Sequence, residues 1–167
     1  LRKNKKLLSV LNNPRVNVVQ VETTPNVGRW MQDSFQFKSL NGKPAIFRII
    51  DKLLAEGIVN ISITVGYKKE VFQEIINEQY KNQCNLDFIS TDYQRPPGNS
   101  IKTSMNYCYE KKILVILGDT LIDNNLSELM DKNRNFVLTS KNFVDSKNWC
   151  VITKKQEKVD EIFDKKY

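Results

Sequence analysis

A carboxylate that directly follows an aliphatic stretch is the strongest candidate for chemistry in this sequence. Residues 113–117 read Ile-Leu-Val-Ile-Leu and are followed by Gly118 and Asp119. The aliphatic stretch predicts a buried strand, and a glycine permits a tight turn at its end. Asp119 would then stand at the carboxyl edge of a sheet, where Mg²⁺ favours a carboxylate together with phosphate oxygens. We expect Asp119 to bind Mg²⁺ there; the alternative is a carboxylate that only caps the turn.

Three further places have residue types that bind metals or anions. Asp123 is a candidate second metal ligand, although carboxylates also cap turns. Residues 96–100 (Pro-Pro-Gly-Asn-Ser) lead into a predicted helix, whose free amide groups attract a phosphate or the edge of a base. The alternative for this segment is an ordinary loop with Asn99 as the helix N-cap. Lys43 precedes another predicted helix and is either a phosphate ligand or simply solvated.

The absence of histidine limits the possible mechanisms. The 167 residues include no His and three cysteines, Cys84, Cys108 and Cys150. A Ser–His or Cys–His nucleophile and a histidine general base are therefore excluded. Any catalysis must use carboxylates, lysines, backbone amides or a metal ion. The cysteines form no CxxC pair, which favours reduced thiols and a cytoplasmic location over a zinc site or disulfides.

The charge balance favours anionic ligands. The chain carries 26 Lys and Arg against 19 Asp and Glu, a net charge of +7, and such a surface attracts nucleotides, sugar phosphates, nucleic acid or acidic lipids. The lysines are scattered, and aromatic and basic residues do not interleave as they do in single-strand binders. We therefore expect a small phosphorylated ligand and not nucleic acid. No apolar run approaches the roughly 20 residues that span a bilayer, so no membrane span is expected.

Alternating strand and helix patterns predict an α/β fold. Apolar runs predict strands over residues 16–21, 58–65, 86–90 and 113–117, and shorter strands over 136–140, 149–153 and 159–163. Helical spacing predicts helices from Pro44 to a left-handed cap at Gly57, and over 69–80, 100–109 and 126–132, the last with a capping box of Asn125 and Glu128. This order predicts a mostly parallel sheet with helices on both faces and a ligand site at the carboxyl ends of its strands.

The length predicts one domain. We expect residues 1–15 to form a basic leader and residues 16–167 to form a single domain. The chain begins with Leu1 and not with Met, and we expect it to be one module of a longer polypeptide, with further domains or a partner chain.

Seven short motifs, taken in order, resemble the sugar-phosphate nucleotidyltransferase family. They are Leu40–Pro44, Glu56–Ile58, Thr64–Tyr67, Pro97–Ser100, Leu117–Thr120, Leu126–Leu129 and Phe163–Lys165. The resemblance extends from Val16 to the C-terminus. The Gly-Asp-Thr sequence at Gly118 is most similar to the sugar 1-phosphate guanylyl- and thymidylyltransferases.

This resemblance implies a fold, a reaction and a set of site residues. The fold is a Rossmann-like three-layer α/β/α sandwich, as in the nucleotide-diphospho-sugar transferases. The reaction is transfer of a nucleotidyl group from a nucleoside triphosphate to a sugar 1-phosphate, with release of pyrophosphate. Asp119 is implied to bind Mg²⁺ against the nucleotide phosphates. The residues implied to contact the nucleotide or the sugar phosphate are Gly98, Asn99, Ser100, Gly118, Asp164 and Lys165.

One segment departs from the family pattern. The family places a glycine-rich loop containing an arginine after its first strand. Here residues 22–30 read Glu-Thr-Thr-Pro-Asn-Val-Gly-Arg-Trp, and only Gly28 and Arg29 are similar to that loop. Glu22 adds negative charge where phosphates are expected, and Pro25 removes an amide donor.

The departure leaves three functional interpretations open. In an active transferase, Arg29, Lys38 or Lys43 replaces the usual phosphate-neutralising groups, and Thr23 and Gly28 contact the nucleotide. We take Arg29, Lys43 and Asp119 as the catalytic candidates. The second interpretation is an inactive module that keeps the fold for binding or scaffolding. The third is a GT-A-like glycosyltransferase, in which an Asp after a central strand holds the metal of a nucleotide sugar.

Overall fold

The computed structural model divides into two units, residues 1–133 and 134–167. It describes residues 15–19, 39–40, 42–67, 69–92, 94–95, 97–107, 113–118, 120–131, 135–140, 150–156 and 158–164. In this part of the chain, the first unit contains a parallel sheet with its helices, and the second contains an antiparallel hairpin. Residues 1–14 of the predicted leader lie outside the described residues, whereas Arg15, its last residue, is the first residue of β1.

A parallel sheet forms the centre of the first unit. Its strands are β1 (Arg15–Val19), β4 (Asn60–Val65), β5 (Asn85–Ser90) and β6 (Ile113–Leu117), in the order β5-β4-β1-β6 with every adjacent pair parallel. Two short strands, β2 (Ser39–Leu40) and β3 (Lys43–Pro44), form an antiparallel pair ahead of the first helix. The predicted parallel sheet is confirmed, with strand ends that lie within two residues of the expected ones where both are described.

The helices bury most of the apolar residues that their spacing predicted. They are α1 (Ala45–Ala55), α2 (Lys69–Tyr80), α3 (Pro97–Met105) and α4 (Leu126–Asp131). Fully or almost fully buried residues of α1 and α2 are Ile46, Ile49, Ile50, Leu53, Phe72, Ile76 and Tyr80. In the described ranges, the longest helix has 12 residues, and none is long and apolar enough to cross a membrane.

Helices cover both faces of the sheet. The connections through α1 and α2 step outward from β1 to β4 to β5, whereas the connection through α3 returns across the sheet to β6. Such crossovers are right-handed, so α3 lies on the face opposite α1 and α2. Side-chain contacts agree: the rings of Tyr80 and Phe47 join α2 to α1 at 5.5 Å between centroids. On the other face, the Ser104 hydroxyl of α3 shares a hydrogen bond with Thr64. The predicted three-layer arrangement is confirmed.

Gly57 ends α1 as predicted. Its φ is +76°, in the left-handed region that favours glycine. The Ile58 amide donates to the Leu53 carbonyl and the Gly57 amide donates to the Leu54 carbonyl, both at 2.9 Å, which is a Schellman motif. Leu53 and Ile58 are both buried, 0% and 3% exposed. The motif therefore fixes the position of Glu56, the C-cap residue of α1.

The start of α3 corrects a prediction. The helix begins at Pro97, three residues before the expected start at Ser100, and Asn99 lies in its first turn instead of capping it. Proline is favoured at the first helical position. An amide hydrogen there would have no intrahelical acceptor, so its absence in proline costs no hydrogen bond. The prediction weighed the capping tendency of asparagine and overlooked this preference.

The position of β6 corrects a second expectation. The all-aliphatic stretch was expected to form a buried strand, but only one face of β6 is buried, and in the described sheet β6 pairs with β1 alone. Leu114 and Ile116 are 7% and 3% exposed, whereas Val115 and Leu117 are 37% and 39% exposed.

The interior strand β4 contains two polar residues, Ser62 and Thr64, both fully buried. The hydrogen bond between the Thr64 hydroxyl and Ser104 of α3 explains how Thr64 is accommodated in that interior strand.

The second unit contains two of the three predicted closing strands. β7 (Cys150–Lys155) and β8 (Lys158–Asp164) pair antiparallel across a turn in which Gln156 has a φ of +50°. The expected strand over residues 136–140 is wrong, since residues 135–140 form no helix or strand. Val137 and Leu138 are 62% and 41% exposed in the second unit. The apolar residues that favoured a strand are therefore not buried in a sheet.

The left-handed conformation of Gly57 makes a testable prediction about stability. Replacing Gly57 by Ala should lower the free energy of unfolding by about 1–2 kcal/mol, because the added Cβ is strained at this φ. Gly57→Asn is the control, since asparagine tolerates the left-handed region, and its loss should be smaller. Urea denaturation measures both changes. Equal stability of Gly57→Ala and the unaltered protein would contradict the Schellman geometry.

Candidate functional site

The carboxyl ends of β1 and β6 are neighbours. Val19, the last residue of β1, pairs with Leu117, the last residue of β6. On its other side β1 pairs with β4, and the chain reaches β4 through α1 on the opposite face from α3. The connection from β1 to β4 therefore crosses one face of the sheet, and the connection from β5 to β6 crosses the other. Open α/β sheets bind ligands in the crevice between two strands whose connections go to opposite faces.

Gly118 continues directly from this strand end. It is buried, and the Thr120 amide donates to the Leu117 carbonyl at 3.0 Å, which brings Thr120 back to the end of β6. Asp119 lies outside the described residues. Its proposed role therefore remains a prediction, and its neighbours Gly118 and Thr120 lie at the carboxyl end of β6.

The first turn of α3 lies at the same edge of the sheet. Thr91 directly follows β5, where its amide donates to the Val65 carbonyl at 2.9 Å. The Thr91 hydroxyl oxygen lies 3.5 Å from Nδ2 of Asn99 and 3.4 Å from Oγ of Ser100. Three strand spacings, roughly 14 Å, separate β5 from β6. The two predicted ligand-binding segments therefore share one edge at a separation that a nucleotide can span.

The first turn of α3 contains two of the predicted ligand residues. Gly98 and Asn99 occupy the first turn, where amide hydrogens have no intrahelical acceptor. Gly98 is exposed, and a Cβ built on it would meet no atom within 4 Å in the described structure. Packing therefore gives no reason for glycine at this position.

Buried hydroxyl groups fix α3 to the sheet, a feature that sequence reasoning missed. Ser104, which is fully buried, donates to the Ser100 carbonyl at 2.8 Å and also bonds with the Thr64 hydroxyl. Ser100 is 6% exposed. The sequence did contain a signal for this contact. Two serines stand four residues apart in the predicted helix, and two hydroxyl residues interrupt the apolar residues of a predicted strand. Thr64 and Thr91 thus position the first turn of α3.

Lys43 is already paired. Its Nζ forms an ion pair with Asp51 of α1, and the other carboxylate oxygen of Asp51 accepts a hydrogen bond from the Tyr80 hydroxyl at 2.9 Å. Burial, and then the neighbouring Asp51 carboxylate, raises the pKa of Tyr80. The Tyr80 hydroxyl also lies 3.1 Å from the Phe47 carbonyl. The positive charge of Lys43 is therefore balanced within this cluster, and its role toward phosphate remains a prediction.

Asp123 lines a cavity of about 160 Å³ between α1 and the segment that follows β6. The other lining residues are Arg48, Ile49, Lys52, Ile116, Thr120, Leu121, Ile122 and Leu126. The described residues contain no group of three His, Cys, Asp or Glu side chains that could hold a metal ion. Mg²⁺ commonly binds one or two carboxylates plus phosphate oxygens and water. A site formed by Asp119 and nucleotide phosphates fits that preference.

The remaining predicted site residues are Asp164 and four residues that the structure does not describe. Asp164 is the last residue of β8, in the second unit, where its backbone pairs with Cys150. The other predicted residues, which lie outside the described ranges, are Thr23, Gly28, Arg29 and Lys165. Their assignments remain predictions.

Sequence comparison identifies similar proteins. The model of a family described as nucleotidyl transferase matches residues 33–157. A curated relative, the UTP–glucose-1-phosphate uridylyltransferase AglF of Haloferax volcanii, is 22% identical over 95 residues. That alignment covers 57% of this chain and 38% of the relative, so the chain matches well under half of the relative's length.

Solved structures share the fold. HddC from Yersinia pseudotuberculosis, complexed with GMP-PN, matches with a TM-score of 0.66 and 18% identity, covering 90% of this chain and 69% of that one. A Bacillus anthracis protein assigned as a glucose-1-phosphate thymidylyltransferase, in complex with a sucrose, matches with a TM-score of 0.70 and 13% identity over 91% of this chain and 65% of its own. At these identities the likeness establishes the fold.

Because a Cβ at Gly98 would meet no neighbouring atom, a substitution there tests whether this glycine serves ligand binding or the stability of the fold. Gly98→Ala should leave the melting temperature unchanged or slightly raised, because alanine is the better helix former. It should weaken the rise in melting temperature that a Mg²⁺–nucleoside triphosphate produces, because the methyl group occupies the space through which a ligand reaches the first-turn amides.

Lys102→Ala, an exposed change in the last turn of the same helix, is the control and should alter neither quantity. Thermal denaturation with and without nucleotide measures both. An unchanged nucleotide effect in Gly98→Ala would remove Gly98 from the site.

Proposed function

The chain belongs to the nucleotidyl transferase family, and we propose that it transfers a nucleotidyl group from a nucleoside triphosphate to a sugar 1-phosphate. The observation that carries the proposal is the pairing of Val19 with Leu117. This pairing brings together the carboxyl ends of β1 and β6. In the sequence, residues 22–30, which correspond to the family's glycine-rich loop, come shortly after β1, and Gly118 directly follows β6. A triphosphate bound in that crevice lies at the usual ligand position of a parallel sheet.

The reaction is an in-line displacement at phosphorus. A phosphate oxygen of the sugar 1-phosphate attacks the α-phosphorus and forms a new P–O bond. The bond between the α-phosphorus and the oxygen bridging to the β-phosphate breaks, and pyrophosphate leaves with the electron pair. Such chemistry depends on charge neutralisation and positioning more than on proton transfer. A chain without histidine is therefore compatible with it.

The proposed roles follow from charge and position. Asp119 and the nucleotide phosphate oxygens hold Mg²⁺, which offsets negative charge on the phosphates when it is bound. Arg29 supplies a second positive group through its planar guanidinium. Lys43 adds a third if the triphosphate competes with Asp51 for its ammonium group.

The first turn of α3 is proposed to bind the nucleoside. Gly98 and Asn99 present amide groups at the sheet edge, and Ser100 anchors that turn to Thr91. Asp164 and Lys165 are proposed to contact the sugar phosphate, as the family resemblance implies. Two of the similar proteins are named as a uridylyltransferase and a thymidylyltransferase of glucose 1-phosphate, and a third is complexed with a guanosine nucleotide analogue. UTP, dTTP and GTP are therefore the nucleotides to test.

Pyrophosphate release tests the proposal. The purified chain with Mg²⁺, glucose 1-phosphate and each of the three nucleotides should release pyrophosphate with at least one of them. Asp119→Asn should lower that rate by about 100-fold or more, because it removes the metal-binding charge.

Asp160→Asn removes an exposed carboxylate from β8 and is the matched control, which should keep the original rate. Pyrophosphate release that survives Asp119→Asn would contradict the assignment of the metal site. The absence of release with every nucleotide, together with the absence of any nucleotide effect on the melting temperature, would contradict the proposed function.

A further inference from the structure

The carboxylate of Glu56 joins the end of α1 to the start of α4. Its Oε2 accepts hydrogen bonds from the backbone amides of Leu126 at 2.6 Å and Ser127 at 2.9 Å, and lies 3.4 Å from the Ser127 hydroxyl. The Glu56 side chain is 14% exposed. The Schellman motif at Gly57 holds the Glu56 backbone in place. A fixed backbone thus presents a largely buried acceptor to a segment some 70 residues further along the chain.

The Glu56 carboxylate is held in its charged form. Burial opposes ionisation, but hydrogen bonds from Lys52, Ser127 and Leu126 outweigh it and lower the pKa of Glu56. Oε1 lies 2.9 Å from Nζ of Lys52. The amino end of a helix also favours a negative charge. At neutral pH the link is therefore ionic as well as hydrogen-bonded.

This contact helps to fix the position of helix α4, together with the burial of Leu126, Leu129 and Met130. It has six residues, too few to be stable on its own. Glu56 satisfies its first two amides, and the third, that of Glu128, donates to Oδ1 of Asn125 at 3.1 Å, as the predicted capping box required. Asn125 belongs to the segment itself, whereas Glu56 is the hydrogen-bond partner that comes from another part of the fold.

The segment of residues 118–125, which is described except for Asp119, is therefore anchored at both described ends. At one end Leu117 pairs with Val19 in the sheet, and the Thr120 amide returns to the Leu117 carbonyl at 3.0 Å. At the other end the segment enters α4, which is bound by Glu56. Asp119 is part of this short segment.

We propose that Glu56 is a positioning residue for the transferase site, fixing the segment of residues 118–125 and with it the carboxylate of Asp119. The inference rests on the proposed function, since it assigns Glu56 to the same metal site. Glu56 touches neither substrate nor metal and acts through α4. Its loss should weaken metal binding while leaving the α3 side of the site, which is fixed by Thr64 and Thr91, unchanged.

Two Glu56 variants and one matched control test the inference. Glu56→Ala removes the acceptor, whereas Glu56→Gln keeps an oxygen for the amides and loses the charge. Glu128→Gln is the control, since Glu128 lies in the first turn of the same helix, carries the same charge and is exposed. Pyrophosphate release is measured against Mg²⁺ concentration and against nucleotide concentration, well below the melting temperature of each variant.

The Mg²⁺ concentration for half-maximal rate should rise roughly tenfold in Glu56→Ala, the size of effect seen when a group supporting a metal ligand is removed. Glu56→Gln should show a smaller rise, and Glu128→Gln none. The KM for the nucleotide at saturating Mg²⁺ should change little in all three. A merely structural role would lower the amount of active protein without altering its Mg²⁺ dependence.

The outcomes separate the inference from the proposed function. An active wild-type chain whose Glu56→Ala variant keeps the original Mg²⁺ dependence overturns the positioning role and leaves the function standing. If Glu56→Ala does not fold, the same criterion is applied to Glu56→Gln. A wild-type chain that neither releases pyrophosphate nor binds a Mg²⁺–nucleotide overturns the function, and the positioning role falls with it.

Discussion

The parallel pairing of β1 with β6 is the constraint on which the candidate site depends. Its register places Val19 opposite Leu117, so the segments that follow the two strands leave the sheet side by side. A slip of one residue would turn Leu114 and Ile116 away from the covered face, where they are almost fully buried. Apolar burial on one face of β6 thus fixes the register that makes the two strand ends meet.

Different interactions hold the two sides of the site. On one face, α1 packs through aliphatic residues and ends in a Schellman motif that presents Glu56 to α4. On the other face, hydroxyl groups of Thr64 and Ser104 bind α3 to the interior strand. Directional hydrogen bonds specify the position of α3 along the sheet more narrowly than apolar contact does. The first turn of α3 is held in addition by the Thr91 hydroxyl, which lies within 3.5 Å of the side chains of Asn99 and Ser100.

The fold was largely predictable because its signals are local. Aliphatic spacing defined α1 and α2, and the glycine at position 57 defined where α1 ends. The start of α3 was missed because two local signals compete there, proline at the first helical position and asparagine as a cap. The strand expected over residues 136–140 was wrong because apolar residues there remain exposed.

The site was less predictable because its supporting contacts are long-range. Glu56 belongs to a motif recognised in the sequence, yet its partners in α4 lie about 70 residues away and no local pattern pairs them. Lys43 was taken as a phosphate ligand or a solvated side chain, although it pairs with Asp51, which lies eight residues further on in α1. The ends of β1 and β6 meet only once the strand order is known.

Paramagnetic broadening of backbone amide signals by Mn²⁺, added with a nucleoside triphosphate in place of Mg²⁺, tests the central claim most directly. The amides of Val19 and Leu117 should broaden strongly, whereas those of Arg15 and Ile113, about 13 Å away at the other ends of the same strands, should broaden far less. Equal broadening at both ends of the strands, or a bound Mn²⁺–nucleotide that leaves Val19 and Leu117 unaffected, would contradict a site at this edge of the sheet.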